Sequence, residues 1–192
     1  TISVLQNPSV IYINPGQYTI KLVVRNQTGS DSIIRTQYVQ VYAKPVISFS
    51  ASATSGCAPL TVGFTDLSTA GSGTLASWQW DFGNGTLSTQ RNPSGNYNNS
   101  GTYNVTLRAT NSFGCVSSKT DTNLITVSNK PVADFRIGPT NNCGAPVNVS
   151  FYNLSSGSGT LQYQWSFGDG ATSTDSSPVH TYTRGGSFSV RL

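Results

Sequence analysis

The chain repeats itself every 85 residues, and that period constrains its fold more than any other feature of the sequence. Gly16, Gly101 and Gly186 stand 85 apart, and two residues after each comes an aromatic ring, Tyr18, Tyr103 and Phe188. Each ring heads an alternating run: Tyr18-Thr-Ile-Lys-Leu-Val-Val, Tyr103-Asn-Val-Thr-Leu-Arg-Ala and Phe188-Ser-Val-Arg-Leu. At the same spacing, Trp80-Asp-Phe-Gly-Asn-Gly85 matches Trp165-Ser-Phe-Gly-Asp-Gly170. Lys44-Pro-Val-Ile-Ser-Phe49 matches Lys130-Pro-Val-Ala-Asp-Phe135 at a spacing of 86. Tandem copies of one module, rather than one irregular globule, follow from a period held over so many positions.

The repeat divides the 192 residues into unequal shares. Residues 1–44 read as the C-terminal half of one unit, 45–129 as a complete unit, and 130–192 as the N-terminal part of a third. Half a unit leaves apolar strand faces without a partner sheet, so the native chain is expected to continue on both sides. Within the complete unit, apolar residues alternate and turn residues recur about every ten positions, the pattern of a β-sandwich. Strands are predicted near 46–52, 60–66, 77–82, 86–89, 96–97, 102–110 and 122–127, with Val62, Phe64, Trp78, Trp80, Phe82, Tyr103, Val105, Leu107 and Ala109 facing inward. The paired glycines 71 and 73, and 157 and 159, mark a flexible loop, and Pro45 and Pro131 mark stiff junctions. Composition agrees: only 9% of residues are charged, and there is neither Glu nor Met, both good helix formers. An α-rich enzyme is not expected on these grounds.

Other classes fall away as quickly. The longest apolar run is Val10 to Ile13, far short of the ~20 residues of a membrane helix. The eleven Lys and Arg are scattered with no two adjacent, so the net charge of +4 makes no nucleic-acid footprint.

Three motifs in fixed order carry a resemblance to a known family. They are Trp80-Asp81-Phe82-Gly83-Asn84-Gly85, Asn92-Pro93-Ser94-Gly95-Asn96-Tyr97 and Gly101-Thr102-Tyr103-Asn104-Val105-Thr106-Leu107. The third copy keeps Trp165-Ser166-Phe167-Gly168-Asp169-Gly170 and Pro178-Val179-His180-Thr181-Tyr182. Together they resemble the polycystic-kidney-disease (PKD) type of immunoglobulin-like domain, over nearly the whole chain. The resemblance implies an all-β fold of tandem immunoglobulin-like sandwiches, about 85 residues each. Its structural motif falls on Trp80, Asp81, Phe82, Gly83, Gly85, Tyr97, Gly101 and Tyr103, and on Trp165, Phe167, Gly168, Asp169 and Gly170. The family is common in bacterial and archaeal cell-surface and secreted proteins. The segment Ser55-Gly-Cys-Ala-Pro-Leu60 is similar to copies in large surface adhesins of gliding bacteria that use a type IX secretion route.

Candidate chemistry is sparse. Asp66, Asp81, Asp134 and Asp169 are oxygen donors of the type calcium prefers, Asp81 and Asp169 foremost, but no EF-hand spacing joins them, and the favoured reading is turn-stabilising Asp that bonds its own backbone. The first acid of the turn is lost in one copy (Ser166) and the second in the other (Asn84), so a pair of carboxylates is not required. His180 is the sole imidazole and its counterpart is Gly95, which argues against catalysis. The pairs Trp78/Trp80 and Tyr163/Trp165 read either as core, the favoured reading, or as an aromatic platform for sugar rings. No cofactor is expected.

Cys57, Cys115 and Cys143 suggest disulfides of an oxidising compartment rather than zinc. Cys57 and Cys115 are expected at opposite ends of one sandwich, roughly 25 Å apart at ~3.3 Å per residue, whereas a disulfide needs Cα atoms within ~7 Å. The expectation is therefore an inter-unit staple, from Cys57 to a cysteine near position 200 and from Cys115 to one upstream of Thr1. The plainer alternative makes all three small buried side chains. The functional expectation is a non-enzymatic spacer or stalk of an extracellular, cell-surface adhesin, transmitting tension through neighbouring repeats of the same chain. Any polysaccharide or protein ligand is then met by other domains. The alternatives are an accessory polymer-binding module of a secreted hydrolase, or a subunit of a surface layer or filament.

Overall fold

A computed structural model describes residues 2–138 and 144–192. Every regular element among them is a strand. The chain divides into two compact units, one of residues up to 54, 61–96 and 102–125, the other of 55–60, 97–101 and 126–192.

The first two strands, β1 (Gly16–Arg25) and β2 (Ser30–Val41), make an antiparallel hairpin. Eight strands follow: β3 (Phe49–Ala51), β4 (Ser55–Cys57), β5 (Leu60–Asp66), β6 (Leu75–Asp81), β7 (Leu87–Ser88), β8 (Ser94–Tyr97), β9 (Gly101–Asn111) and β10 (Val116–Ser128). They form a five-stranded sheet, β4-β10-β9-β6-β7, and a three-stranded sheet, β3-β5-β8. Alternation along β5, β6 and β9 sends one face of each strand into the space between the sheets. Val62, Phe64, Trp80, Phe82, Val105, Leu107, Ala109 and Ile125 are there, none more than 2% exposed. Trp80 meets Phe49 edge-on, ring centroids 5.2 Å apart. At ~25 cal/mol per Å2, each aliphatic side chain so buried contributes about 1.5–3 kcal/mol.

Two expectations about strands change. β4 was not anticipated: it is only three residues long and pairs in parallel with the end of β10, Ser128 against Cys57. Such a short edge strand carries no period of its own. The last strand is longer than expected: Val116 to Ser128 is one strand, carried through Asn123 at φ 54. Trp78 and Tyr103, expected inward, are half-buried rather than buried.

The final stretch repeats this plan in part: β11 (Phe135–Ile137), β12 (Val147–Asn153), β13 (Trp165–Ser166), β14 (Thr172–Ser173) and β15 (Val179–Tyr182). The sheet β11-β12-β15 copies β3-β5-β8, and β13-β14 copies the end of β6-β7. Val149, Phe151, Trp165, Phe167 and Tyr182 form its core, with Phe188, Val190 and Leu192 packed on it.

Candidate functional site

Each motif turn is held by its own backbone. Asp81 Oδ1 accepts from Gly83 N at 2.9 Å and Asn84 Oδ1 from Thr86 N at 3.0 Å, two successive Asx turns. Gly83 has φ +74, and a Cβ there would stand 2.3 Å from the carbonyl oxygen of Asn104, which is why the motif requires glycine at this place. In the third copy Asp169 Oδ1 accepts from Ala171 N at 3.0 Å, and Asp169 Oδ2 pairs with His180 Nε2 at 2.8 Å. His180 lies flat on Phe167, centroids 4.2 Å apart, and edge-on to Tyr182. The hydrogen bond from His180, aided by the Ala171 amide, lowers the Asp169 pKa below the ordinary carboxylate value. Burial, with the Asp169 charge, pushes the Tyr182 phenol up. Among the described residues no three His, Cys, Asp or Glu side chains gather into a metal cage.

Asp66 is the acid with the most elaborate surroundings, and sequence reading weighed it only as a calcium donor or a turn-stabilising Asp. Its Oδ2 accepts from Trp78 Nε1 at 2.9 Å and from Arg91 Nε at 3.3 Å, and its Oδ1 from Ser68 N at 2.9 Å. Arg91 also spreads over the Trp78 ring, 5.6 Å from its centroid. Burial opposes ionisation, but the Ser68 hydroxyl and amide, Trp78 and Arg91 together outweigh it and hold the carboxyl below its usual range. The third copy has Asn153, Tyr163 and Ser176 in these places, and Asn153 Oδ1 keeps only the bond from Ser155 N at 2.9 Å. Acid, indole and guanidinium are lost as a set.

The aromatic pairs split. Trp80 and Trp165 are 0% exposed, each donating Nε1 to a backbone carbonyl, of Gln90 at 3.0 Å and of Asp175 at 2.9 Å. Their faces are core. Trp78 is partly covered by Arg91, and Tyr163 is half-buried beside an open cleft of about 730 Å3 lined also by Leu161, Gln164, Trp165 and Leu192.

The densest polar constellation lies where residues 42–44 leave the hairpin and meet the turns of the first sandwich. Asn111, 2% exposed, closes β9. Its Nδ2 donates to the carbonyls of Ala43 and Ala70, both at 3.0 Å, and its Oδ1 accepts from Phe113 N at 3.1 Å and Cys115 N at 3.0 Å. All four hydrogen-bonding positions of the amide are filled. Around it, Ala43 N donates to Ser72 Oγ at 2.9 Å, and Tyr42 stacks on Phe113 with centroids 3.7 Å apart and planes 6° from parallel. Gly71, at φ +70, lies so close that a Cβ would come within 2.1 Å of the Lys44 carbonyl oxygen. The glycine loop expected to be flexible is thus packed on the junction: its glycines permit close approach.

Asn111 was missed by sequence reading, although a signal existed. Asn26, 85 residues earlier, also opens a hairpin turn and accepts from Thr28 N and Gly29 N, both at 2.9 Å. What the period did not reveal is that the amide nitrogen of Asn111 reaches into the preceding repeat.

Cys57 and Cys115 are both free thiols, Cys57 exposed and Cys115 half-buried with Sγ 4.0 Å from the Tyr42 carbonyl oxygen. The plainer reading of three buried thiols therefore fails for Cys57, which sits on a short edge strand. Cys143 lies outside the described residues.

A model of the PKD domain matches residues 42–127 and again 128–192. Among solved structures, the chain is similar to the PKD1 domain of Vibrio anguillarum Epp, at 32% identity over 45% of this chain and 98% of that one, with a TM-score of 0.40. It is similar too to the PKD1 domain of the Vibrio cholerae metalloprotease PrtV, at 33% identity over 44% of this chain and 98% of that one, TM-score 0.39. A structure of carbohydrate-binding modules from the β-sandwich superfamily aligns at 18% identity over 78% of this chain and 83% of that one, TM-score 0.43. With two consecutive family matches over strands, core and motif turns that repeat in register, the chain belongs to the PKD domain family, as tandem copies of that domain.

Proposed function

We propose that the chain is a non-enzymatic spacer of an extracellular protein, a stalk of the cell-surface adhesin type, in which tandem PKD domains carry tension from one to the next. The observation that carries this reading is Asn111. A linker meant to swivel needs no buried side chain spanning it, yet this amide spends both of its N–H groups on the carbonyls of Ala43 and Ala70. Pulling residues 42–44 away would leave a buried amide unsatisfied, at about 1–3 kcal/mol, and would unstack Tyr42 from Phe113. Cys115 stands at the same junction, where a thiol from a preceding domain would add a covalent tie; this inter-domain staple is part of the proposal. The test is steered pulling on single molecules of the chain with and without Asn111→Ala. Loss of a distinct junction event in the variant supports the spacer, and indistinguishable traces overturn it.

The accessory polymer-binding reading has one feature in its favour, the half-buried Tyr163 ring at the open cleft. Pull-down on cellulose, chitin and collagen, lost on Tyr163→Ala, would establish it, and no retention on any of the three would dismiss it.

A further inference from the structure

We infer that Arg91 and Trp78 form a binding site for the carboxylate groups of an acidic polysaccharide, with Asp66 as the residue that holds both in place. All three lie within the first family match, residues 42–127, and within one compact unit. Asp66 Oδ1 accepts from Ser68 N at 2.9 Å, and Asn153 Oδ1 accepts from Ser155 N at 2.9 Å, so a neutral amide closes the same turn in the other copy. What the acid adds is a second oxygen. Oδ2 is spent on two donors, Trp78 Nε1 at 2.9 Å and Arg91 Nε at 3.3 Å. A carboxylate whose side chain is 0% exposed is costly to bury unless such partners meet it. The other copy, with Asn153, Tyr163 and Ser176, dispenses with acid, indole and guanidinium together, so the fold does not call for them.

The arrangement leaves a guanidinium fixed at its root and open at its tip. Arg91 gives Asp66 its Nε, its Cζ stands 5.6 Å from the Trp78 centroid, and its side chain is 60% exposed. Nη1 and Nη2 are left to solvent, and their planar fork matches a carboxylate in two parallel bonds. Because Asp66 and the indole already restrict the side chain, a ligand has less rotamer freedom to remove. Beside the fork, the half-buried Trp78 offers the rim of its ring to a sugar.

An acidic peptide is the poorer fit. Extended peptides are gripped by main-chain pairing along a sheet edge, and the edge strand β7, which leads into the Arg91 loop, is two residues long. A uronate needs one carboxylate partner and one apolar surface for its ring, which the fork and the indole supply. The net charge of +4 favours an anionic ligand at long range. This goes beyond the spacer reading, in which the repeats hold no ligand, and it makes no use of the Asn111 junction.

Calorimetric titration of the 192-residue chain with polygalacturonate is the test, with poly-L-glutamate as the second arm. Binding of polygalacturonate is expected, and Arg91→Lys, which keeps the charge but not the fork, should weaken it at least tenfold or so. Asp66→Asn is the sharpest variant. It makes the chain one charge more positive, so diffuse attraction would tighten binding, whereas loss of the anchored fork should weaken it. The triple change Asp66→Asn, Trp78→Tyr and Arg91→Ser installs the residues of the other copy, so it should melt cooperatively and bind nothing. A wild-type chain that ignores polygalacturonate, tighter binding in Asp66→Asn, or binding that survives Arg91→Lys or the triple change would overturn the inference. Poly-L-glutamate held as tightly as polygalacturonate would overturn it too, and would assign the site to an acidic protein.

Discussion

At the scale of single residues, two buried polar side chains do different work. Asn111 is neutral and saturated, so its removal is felt as an unsatisfied junction. Asn111→Ala should cost about 1–3 kcal/mol in urea denaturation. Asn111→Asp should cost more at neutral pH, because a carboxylate has no N–H to offer the two carbonyls. Asp66 is charged, and its stabilising effect depends on pH. Its folded-state pKa lies below the unfolded value of about 3.9, so its contribution is fully present above about pH 4 and is lost as pH falls through the lower, folded value. The Asp66→Asn chain should melt lower than wild type at neutral pH, and the gap should close in strong acid. A gap that stays constant across that range would show that the charge is irrelevant. The pair Asp169–His180 invites a double-mutant cycle with Asp169→Asn and His180→Gly, the residues of the first sandwich at these places, Asn84 and Gly95. Non-additive effects are expected because the two groups share a 2.8 Å bond.

At the scale of strands and turns, what the sequence disclosed and what it hid have physical reasons. β5 stands where alternation placed it, since a strand buried on one face writes its own period. β4 escaped because three residues hold no period, and Trp78 looked like core because spacing cannot register that Asp66 and Arg91 wait at the edge. The motif glycines were legible, but not the difference between them. Gly83 at φ +74 is pressed on Asn104, whereas Gly85 at φ +84 has nothing within 4 Å of where a Cβ would stand. Gly85→Ala should therefore cost only about 1–2 kcal/mol, the left-handed backbone penalty. Gly83→Ala should cost distinctly more, and comparable denaturation midpoints for the two would refute the close contact.

At the scale of the molecule, the period predicted the modules, but not their means of attachment. Proline at the junction pointed to stiffness of the backbone; in the structure the junction is held by a side-chain amide, a ring stack and a glycine loop, none of which has a distinctive spacing. Whether those bonds make the hairpin and the first sandwich behave as one body is the question on which a tension-carrying array turns. Backbone 15N relaxation on the labelled chain answers it most directly. With the junction bonded, amides of β1 and β2 should report the same rotational correlation time as those of β5, β6 and β9, and Asn111→Ala should release them to faster, independent motion. Independent tumbling of the hairpin in the unmodified chain would contradict the bonded junction, and with it the spacer.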